Sequence, residues 1–300
     1  MQKNILVIYY TQTGQLEHIV KNVAAPFEAD PDCSVTYYRI RLKKDFPFPW
    51  PDDVFYNTFP ESYLQIPSEI DAPPAEVLGK KYDLILFGYQ VWFLTPSIPT
   101  ISFLKSSFAE QLLRDTPLVT ISGTRNMWML SQEKLKVHLN RLGAKLVGNI
   151  ALVDRNNTYT STITILKWLG EGKKAMPKPL PPAGVSEAEI AGAGKYGTII
   201  KKYFKKDHYQ GMQQELVNSG AVEVRPFLVK VETVGNKLFT FFSGKVKNHP
   251  EKRPFWVRMF KIYLMVAIWI VSPIVLIFFT ILTPFFWSKR QKQIKYYQGI

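Results

Sequence analysis

Thr11, Thr13 and Gly14 are the first residues of the chain whose types and spacing suit a common chemistry. They follow an apolar run at residues 5–10 and precede Leu16, Ile19, Val20, Val23, Ala24 and Phe27, which recur at helical spacing. The segment Thr11-Gln12-Thr13-Gly14-Gln15 thus places two hydroxyls and unpaired backbone N–H groups where a helix begins, with the positive end of the helix dipole pointing into the loop. Such a turn suits a phosphate, and without a ligand it is a plain Thr/Gly helix cap. Two more polar clusters follow apolar runs in the same way. Gln90-Val91-Trp92-Phe93 comes after residues 82–88, and Ser122-Gly123-Thr124-Arg125-Asn126, with Trp128 beyond it, comes after residues 117–122. Trp92 or Phe93 can stack on a flat ring or simply close a core. Arg125 and Asn126 can donate to carbonyl oxygens and Trp128 can cover a ring; a solvated arginine at a helix start is the plainer alternative.

Three such clusters act together only if the scaffold brings them to one edge. Residues 5–10, 35–40, 82–88, 117–122 and 145–153 read as strands, several of them uninterrupted apolar runs of the kind covered on both faces in a parallel sheet. Leu130, Leu135, Leu139 and Leu142 mark a helix after the fourth. Five strands alternating with helices predict an α/β fold, a doubly wound five-stranded parallel sheet. Ligands bind such sheets at the carboxyl ends of the strands, where all three clusters fall. On these residues the chain resembles flavodoxins and flavodoxin-like oxidoreductases over residues 3–155. Thr11-x-Thr13-Gly14-x follows the FMN phosphate loop, and Leu16 departs from it where a hydroxyl residue is usual. The resemblance implies FMN as cofactor, held by Thr11, Gln12, Thr13, Gly14, Gln15, Gln90, Val91, Trp92, Phe93, Ser122, Gly123, Thr124, Arg125, Asn126 and Trp128, and no metal.

Residues 1–170 form the expected FMN-binding domain. Inside it, residues 41–81 carry seven prolines and the aromatics Phe46, Phe48, Trp50, Phe55, Tyr56, Phe59 and Tyr63. That segment reads either as an irregular insertion packed by its own rings or as the wall or lid of an apolar substrate site. Residues 171–258 follow as an extension. It contains a proline-rich linker at 173–184, a basic helix running to about Lys206 that is capped by Ser186 with Glu189 three residues on, and a hairpin of residues 222–234 and 237–242 around Gly235-Asn236.

Residues 259–300 are a hydrophobic tail. Residues 262–288 run for 27 positions without a charge, about 40 Å as a helix against a bilayer core of about 30 Å. Lys245, Lys247, Lys252, Arg253, Arg258 and Lys261 precede this run and Lys289, Arg290, Lys292 and Lys295 follow it, so the positive-inside rule assigns no orientation. With Pro273 and Pro284 inside, three forms stay open: a span, a bent helix or hairpin entering and leaving one leaflet, and a buried core helix. Charge is uneven along the chain. Residues 1–150 hold 15 Lys+Arg and 15 Asp+Glu, and residues 151–300 hold 23 and 9, so the net +14 lies in the half that carries the tail. Beside such a tail, basic excess points to anionic lipid rather than to nucleic acid. The single cysteine, Cys33, expected in a loop before the second strand, excludes an internal disulfide and a zinc cluster.

The wider pattern of the first loop, Trp92 with its proline-rich follower, Thr124-Arg125-Asn126-Met127-Trp128 and the hydrophobic tail is similar to bacterial dialkylresorcinol-condensing enzymes, which act beside a ketosynthase in dialkylresorcinol and flexirubin-type pigment pathways. The resemblance implies a membrane-associated FMN-dependent oxidoreductase, an aromatase that removes two hydrogens from a 2,5-dialkylcyclohexane-1,3-dione at the cytoplasmic face of the inner membrane. Its expected partners are an apolar or lipid-like small molecule, the membrane, a ketosynthase and a second copy in a homodimer. Condensation itself needs a cysteine nucleophile with partner histidines, and Cys33 is far in sequence from His138 and His208. His208, Tyr209 and Arg125 are the ionisable candidates for catalysis. Two other functions compete: a flavodoxin-like quinone reductase or electron carrier at the membrane, and a non-enzymatic scaffold that has lost FMN, as Leu16 would suggest. On this view removal of residues 259–300 releases the protein from membranes with its flavin still bound.

Overall fold

The computed structural model describes residues 2–300. In chain order the first half consists of β1 (Lys3–Tyr9), α1 (Gln15–Glu28), β2 (Cys33–Arg39), α2 (Asp52–Tyr63), α3 (Ala75–Leu78), β3 (Leu84–Tyr89), the short hairpin β4 (Val91–Trp92) and β5 (Thr95–Pro96), α4 (Ile98–Leu104), α5 (Ser107–Leu113), β6 (Pro117–Thr124), α6 (Met129–Arg141) and β7 (Lys145–Val153). The second half is helical: α7 (Thr158–Glu171), α8 (Glu187–Ala191), α9 (Gly194–Phe204), α10 (Met212–Asn218), α11 (Pro226–Asn248), α12 (Arg253–Val266), α13 (Ser272–Ile281) and α14 (Trp287–Gln298).

The five long strands pair in parallel in the order β2-β1-β3-β6-β7. That is the 2-1-3-4-5 order of a flavodoxin-like doubly wound sheet, with its switch point between β1 and β3. Alternation along each strand divides the core between two faces. Ile5 and Val7 face Leu16, Ile19, Val23 and Phe27 of α1 in one cluster, and Leu6 and Ile8 face Ile101, Phe103, Leu135 and Leu139 in the other. Polar alternation is absent because both faces are covered.

A third cluster lies beyond the sheet. Tyr56, Phe59 and Tyr63 of α2 pack with Leu94 after β4, with Phe239, Phe242 and Val246 of α11, and with Val257 and Phe260 of α12. Phe59 and Phe260 stack with ring centroids 3.6 Å apart. Part of the segment at 41–81 is therefore an ordered helix that joins the sheet domain to the C-terminal helices.

Several expectations are corrected here. The hairpin at 222–242 is instead the 23-residue helix α11, in which Pro226 occupies the first turn and Phe239, Phe242 and Val246 fall on one face. The basic helix breaks at Gly192 into α8 and α9; the Ser186 hydroxyl does accept the Glu189 N–H as its cap. Cys33 is the buried first residue of β2 rather than part of a loop. The uncharged tail is helical, with a π-helical stretch at Ala267–Val271 and a turn before α14.

Candidate functional site

The loops after β1, β3 and β6 meet at the carboxyl edge of the sheet, as the strand order requires. In the first, Gly14 has φ +84° and precedes α1, whose N-terminus no side chain caps. The Thr11 hydroxyl accepts the Gly14 N–H at 3.0 Å, which shapes the turn. The first intrahelical bond is His18 N–H to the Gly14 carbonyl, so the N–H groups of Gln15, Leu16 and Glu17 are left to a ligand or water. Thr13 lines the cavity described below. Leu16, at the position that departs from the phosphate-loop pattern, is fully buried against the sheet.

Two glutamines of this loop tie it to its surroundings. Gln12 donates to the Pro47 carbonyl at 3.0 Å and accepts from the Trp50 indole at 2.8 Å, fixing the aromatic insertion over the loop. Gln15 accepts the Val185 N–H at 2.9 Å. Trp50 and Phe46 in turn contact Trp92 edge-on, with centroids 5.3 and 5.1 Å away. Phe93 and Leu94 form the two-residue turn between β4 and β5 with φ of +48° and +62°, the left-handed geometry that a tight hairpin demands. Neither is glycine, and backbone strain of this kind collects at functional loops.

In the third loop, Gly123 packs where any Cβ would lie 2.6 Å from Ile19 Cδ1. Arg125 donates to the Thr162 hydroxyl and to Met127 Sδ, and no carboxylate pairs with it among the described residues. Burial lowers its pKa to about 10, against the weaker opposing pull of Asp154 and Glu232. The amide of buried Asn126, the Thr124 hydroxyl and the Gln90 carbonyl oxygen find no partner within the protein. Buried polar atoms of that kind are normally satisfied, and the two that also line the cavity, on Thr124 and Gln90, mark a place for a polar ligand.

These loops open into one cavity of about 420 Å³, within the range of small-molecule sites. Its polar end is formed by Gln12, Thr13, Gln15, Gln90, Thr124 and Arg125. Trp50, Phe55, Tyr56, Trp92 and Phe93 form an aromatic wall, and Ile165, Leu238, Leu264, Ile268 and Val275 close the far end. No histidine or carboxylate lines it. A planar aromatic cofactor carrying a phosphate fits this distribution: an open helix N-terminus, a flat indole, unpartnered amide and hydroxyl groups, and an apolar surround.

Thr11, Gly14, Ser122, Asn126 and Trp128 do not line the cavity, and neither do His208 and Tyr209. Thr11 and Ser122 are buried beneath the loops. Trp128, expected to cover a ring, is fully buried in the main core and donates to the Glu223 carbonyl at 3.3 Å. His208 and Tyr209 lie at the opposite edge: they follow Phe204, whose carbonyl accepts from Lys3 at the start of β1, and Asp83 just before β3 acts on the Tyr209 hydroxyl. They cannot serve chemistry at the carboxyl edge. The Thr-rich segment 156–169 with Trp168, which the sequence suggests as a connection crossing the flavin edge, is α7 and lines the cavity; the residues that sequence reasoning missed are those of α11 and α12 that close it, which no local motif announces. The one usable signal was the aromatic content of 41–81.

The fold and loops define a flavodoxin-like α/β protein. A flavoprotein in complex with FMN from Lactobacillus acidophilus NCFM is 17% identical over 50% of this chain and 93% of its own, with a TM-score of 0.37. Oxidised Flavodoxin 1 from Bacillus cereus is 11% identical over 68% of this chain and 98% of its own, with a TM-score of 0.36. No protein-family model matches the chain, and no curated protein matches its sequence. The fold assignment therefore stands on strand order and loop placement.

Proposed function

We propose that the protein is an FMN-dependent oxidoreductase acting on an apolar substrate, and that the substrate is a 2,5-dialkylcyclohexane-1,3-dione aromatised to a dialkylresorcinol at a membrane. The observation that carries this reading is the single cavity, with its polar end at the three loops and apolar walls supplied by the insertion and the tail. FMN would be held by the Thr11–Gln15 loop at the phosphate, by Gln90 and Thr124 at the ring carbonyls, and by Trp92 against the ring. Bound there, it supplies a two-electron acceptor beside the cavity.

The chain's own residues then have a limited task. A 1,3-dione loses the proton between its carbonyls in neutral water, so the substrate arrives as an enolate. The unpaired Arg125 guanidinium favours that anion over the neutral form and fixes its oxygen with charge-assisted hydrogen bonds. Hydride then leaves from C5 and a proton from the adjacent C4, which forms the C4–C5 double bond and turns the enolate into the resorcinolate; the balance is one hydride lost to the acceptor and one ring proton lost to solvent. No carboxylate or imidazole lines the cavity to take that proton. Trp50, Phe55 and Trp92 exclude water from the reacting carbon. The same roof argues against the electron-carrier alternative, which needs an exposed flavin edge for a protein partner.

Purified protein should show flavin absorbance and convert the dione to resorcinol with flavin bleaching under anaerobic conditions. Arg125→Gln should raise KM for the ionised dione by about tenfold or more, since a hydrogen bond to a charged group contributes roughly 1.5–3 kcal/mol. An FMN-loaded protein that leaves authentic dione unchanged would refute the substrate assignment.

A further inference from the structure

The helical run Pro250–Ile281 is apolar on two opposite faces, and the two faces have different neighbours. Phe260, Leu264, Ile268 and Val275 point into the cavity. On the other side, Met259, Ile262, Val266, Ile270, Ile277 and Ile281 recur at helical spacing and are all exposed. Beyond the turn, Phe285 is 80% exposed and Trp287 59%. A helix apolar all round is normally buried or in lipid, and a contiguous exposed apolar face of this length marks an interaction surface.

Both ends of this helix are tied to the same protein body. Phe260 stacks on Phe59 near its start, and Phe279 meets Phe227 near its end with centroids 5.5 Å apart. After the turn the chain comes back: Arg290 donates to the Phe279 carbonyl at 2.8 Å, Tyr296 to Glu133 at 2.8 Å, and the Gln298 carbonyl accepts from Gln213 at 2.8 Å. A transbilayer helix would carry the sheet domain into hydrocarbon with it. The two ends of the uncharged stretch 262–288 carry exposed cations without ion-pair partners among the described residues: Lys247, Lys252 and Arg258 before it, and Lys289, Lys292 and Lys295 after it. Charge at both ends and none between suits a helix lying flat on an anionic surface.

We infer that this helix lies in one leaflet of an anionic membrane, parallel to its plane, and is the wall between lipid and cavity, so that the cavity takes single-chain or twin-chain amphipaths directly from the acyl layer. Tyr263 and Val271 belong to both surfaces: each lines the cavity and is also exposed. An alkyl chain passing between them moves from lipid to cavity without entering water, with its polar head directed toward Arg125. The inference does not depend on the redox reading, since neither flavin nor turnover enters its test.

Full-length protein in a Cys33→Ser background would be nitroxide-labelled one position at a time from 266 to 281 and bound to vesicles of phosphatidylcholine and phosphatidylglycerol. Label depth should oscillate with helical period, deepest at Ile270, Ile274 and Ile277, and binding to phosphatidylcholine alone should be roughly tenfold or more weaker. A depth that rises and falls once along the run means a span and overturns the inference, as does absence of vesicle binding with a dimer sealing the outer face. For the route, a bimane at Ile165→Cys, on the α7 wall of the cavity, should be quenched by doxyl-stearic acid supplied in vesicles. Persistent bimane emission in a protein whose circular dichroism matches the unlabelled chain would eliminate entry from lipid.

Discussion

Gly14 shows how a residue can be identified for one reason and required for another. Its place between strand and helix marks it as a phosphate-loop glycine, and close backbone approach would be the usual explanation. The structure gives a different one: a Cβ built there meets nothing within 4 Å, and the constraint is φ +84°. Gly14→Ala should therefore cost about 1–2 kcal/mol from the left-handed conformation alone, lowering Tm by a few degrees before any ligand is added. Thr13→Ala should leave Tm unchanged and reduce flavin content; equal flavin in that variant would place the phosphate elsewhere. Side-chain type was legible at all three loops, but direction was not. Thr11 is spent on Gly14, Gln12 on Trp50 and Gln15 on Val185, each through a bond that depends on folding. Trp128 turns to the core for the same kind of reason, as its helix is packed by α11.

Among elements, the strands were readable because burial on both faces removes polar alternation, whereas α11 was misread. Its β-branched density, from Val222 to Val234, and the pair Gly235-Asn236 imitate a hairpin. Gly235 instead lies where α11 crosses Leu94, to which a Cβ would come within 3.4 Å. Helix wins because Leu228, Phe239, Phe242 and Val246 find partners distant in sequence, which local propensity cannot weigh. One residue links α11 to α6: the Glu232 carboxyl accepts the Met129 and Leu130 N–H groups, at 3.3 and 2.7 Å. Burial raises its pKa to about 7, more than those bonds and the nearby Lys134 and Arg125 lower it. Between about pH 4.5 and 7 the unfolded chain releases this proton and the folded chain keeps it. Stability should accordingly fall as pH rises through that window, by at most about 3 kcal/mol. Glu232→Gln should flatten this part of the Tm profile; parallel profiles for the two proteins would remove Glu232 as the cause.

At the scale of the whole molecule, the tail was legible as apolar and basic-flanked but not as part of the fold. Composition says that a helix needs an apolar environment and does not say that one of its faces finds it in the protein. Phe260 is 1% exposed and stacks on Phe59, while Arg253 pairs with Glu61 at 2.7 Å. Removing residues 259–300 therefore uncovers Phe59, Phe239 and Phe242 and opens the far end of the cavity, so clean release with flavin retained is no longer expected. Burial of Phe260 alone contributes roughly 2–3 kcal/mol, and with α14 lost as well Tm should drop by about 10 °C or more. Substitutions confined to the outer face separate anchoring from folding. Ile270→Glu with Ile277→Glu removes apolar contact with lipid but touches neither the cavity nor the aromatic cluster. That double variant should keep the wild-type Tm and flavin content in detergent while losing vesicle binding. If the truncated chain instead melts with the wild type, α12 and α14 do not support the body, and the aromatic cluster of α2 and α11 closes without them.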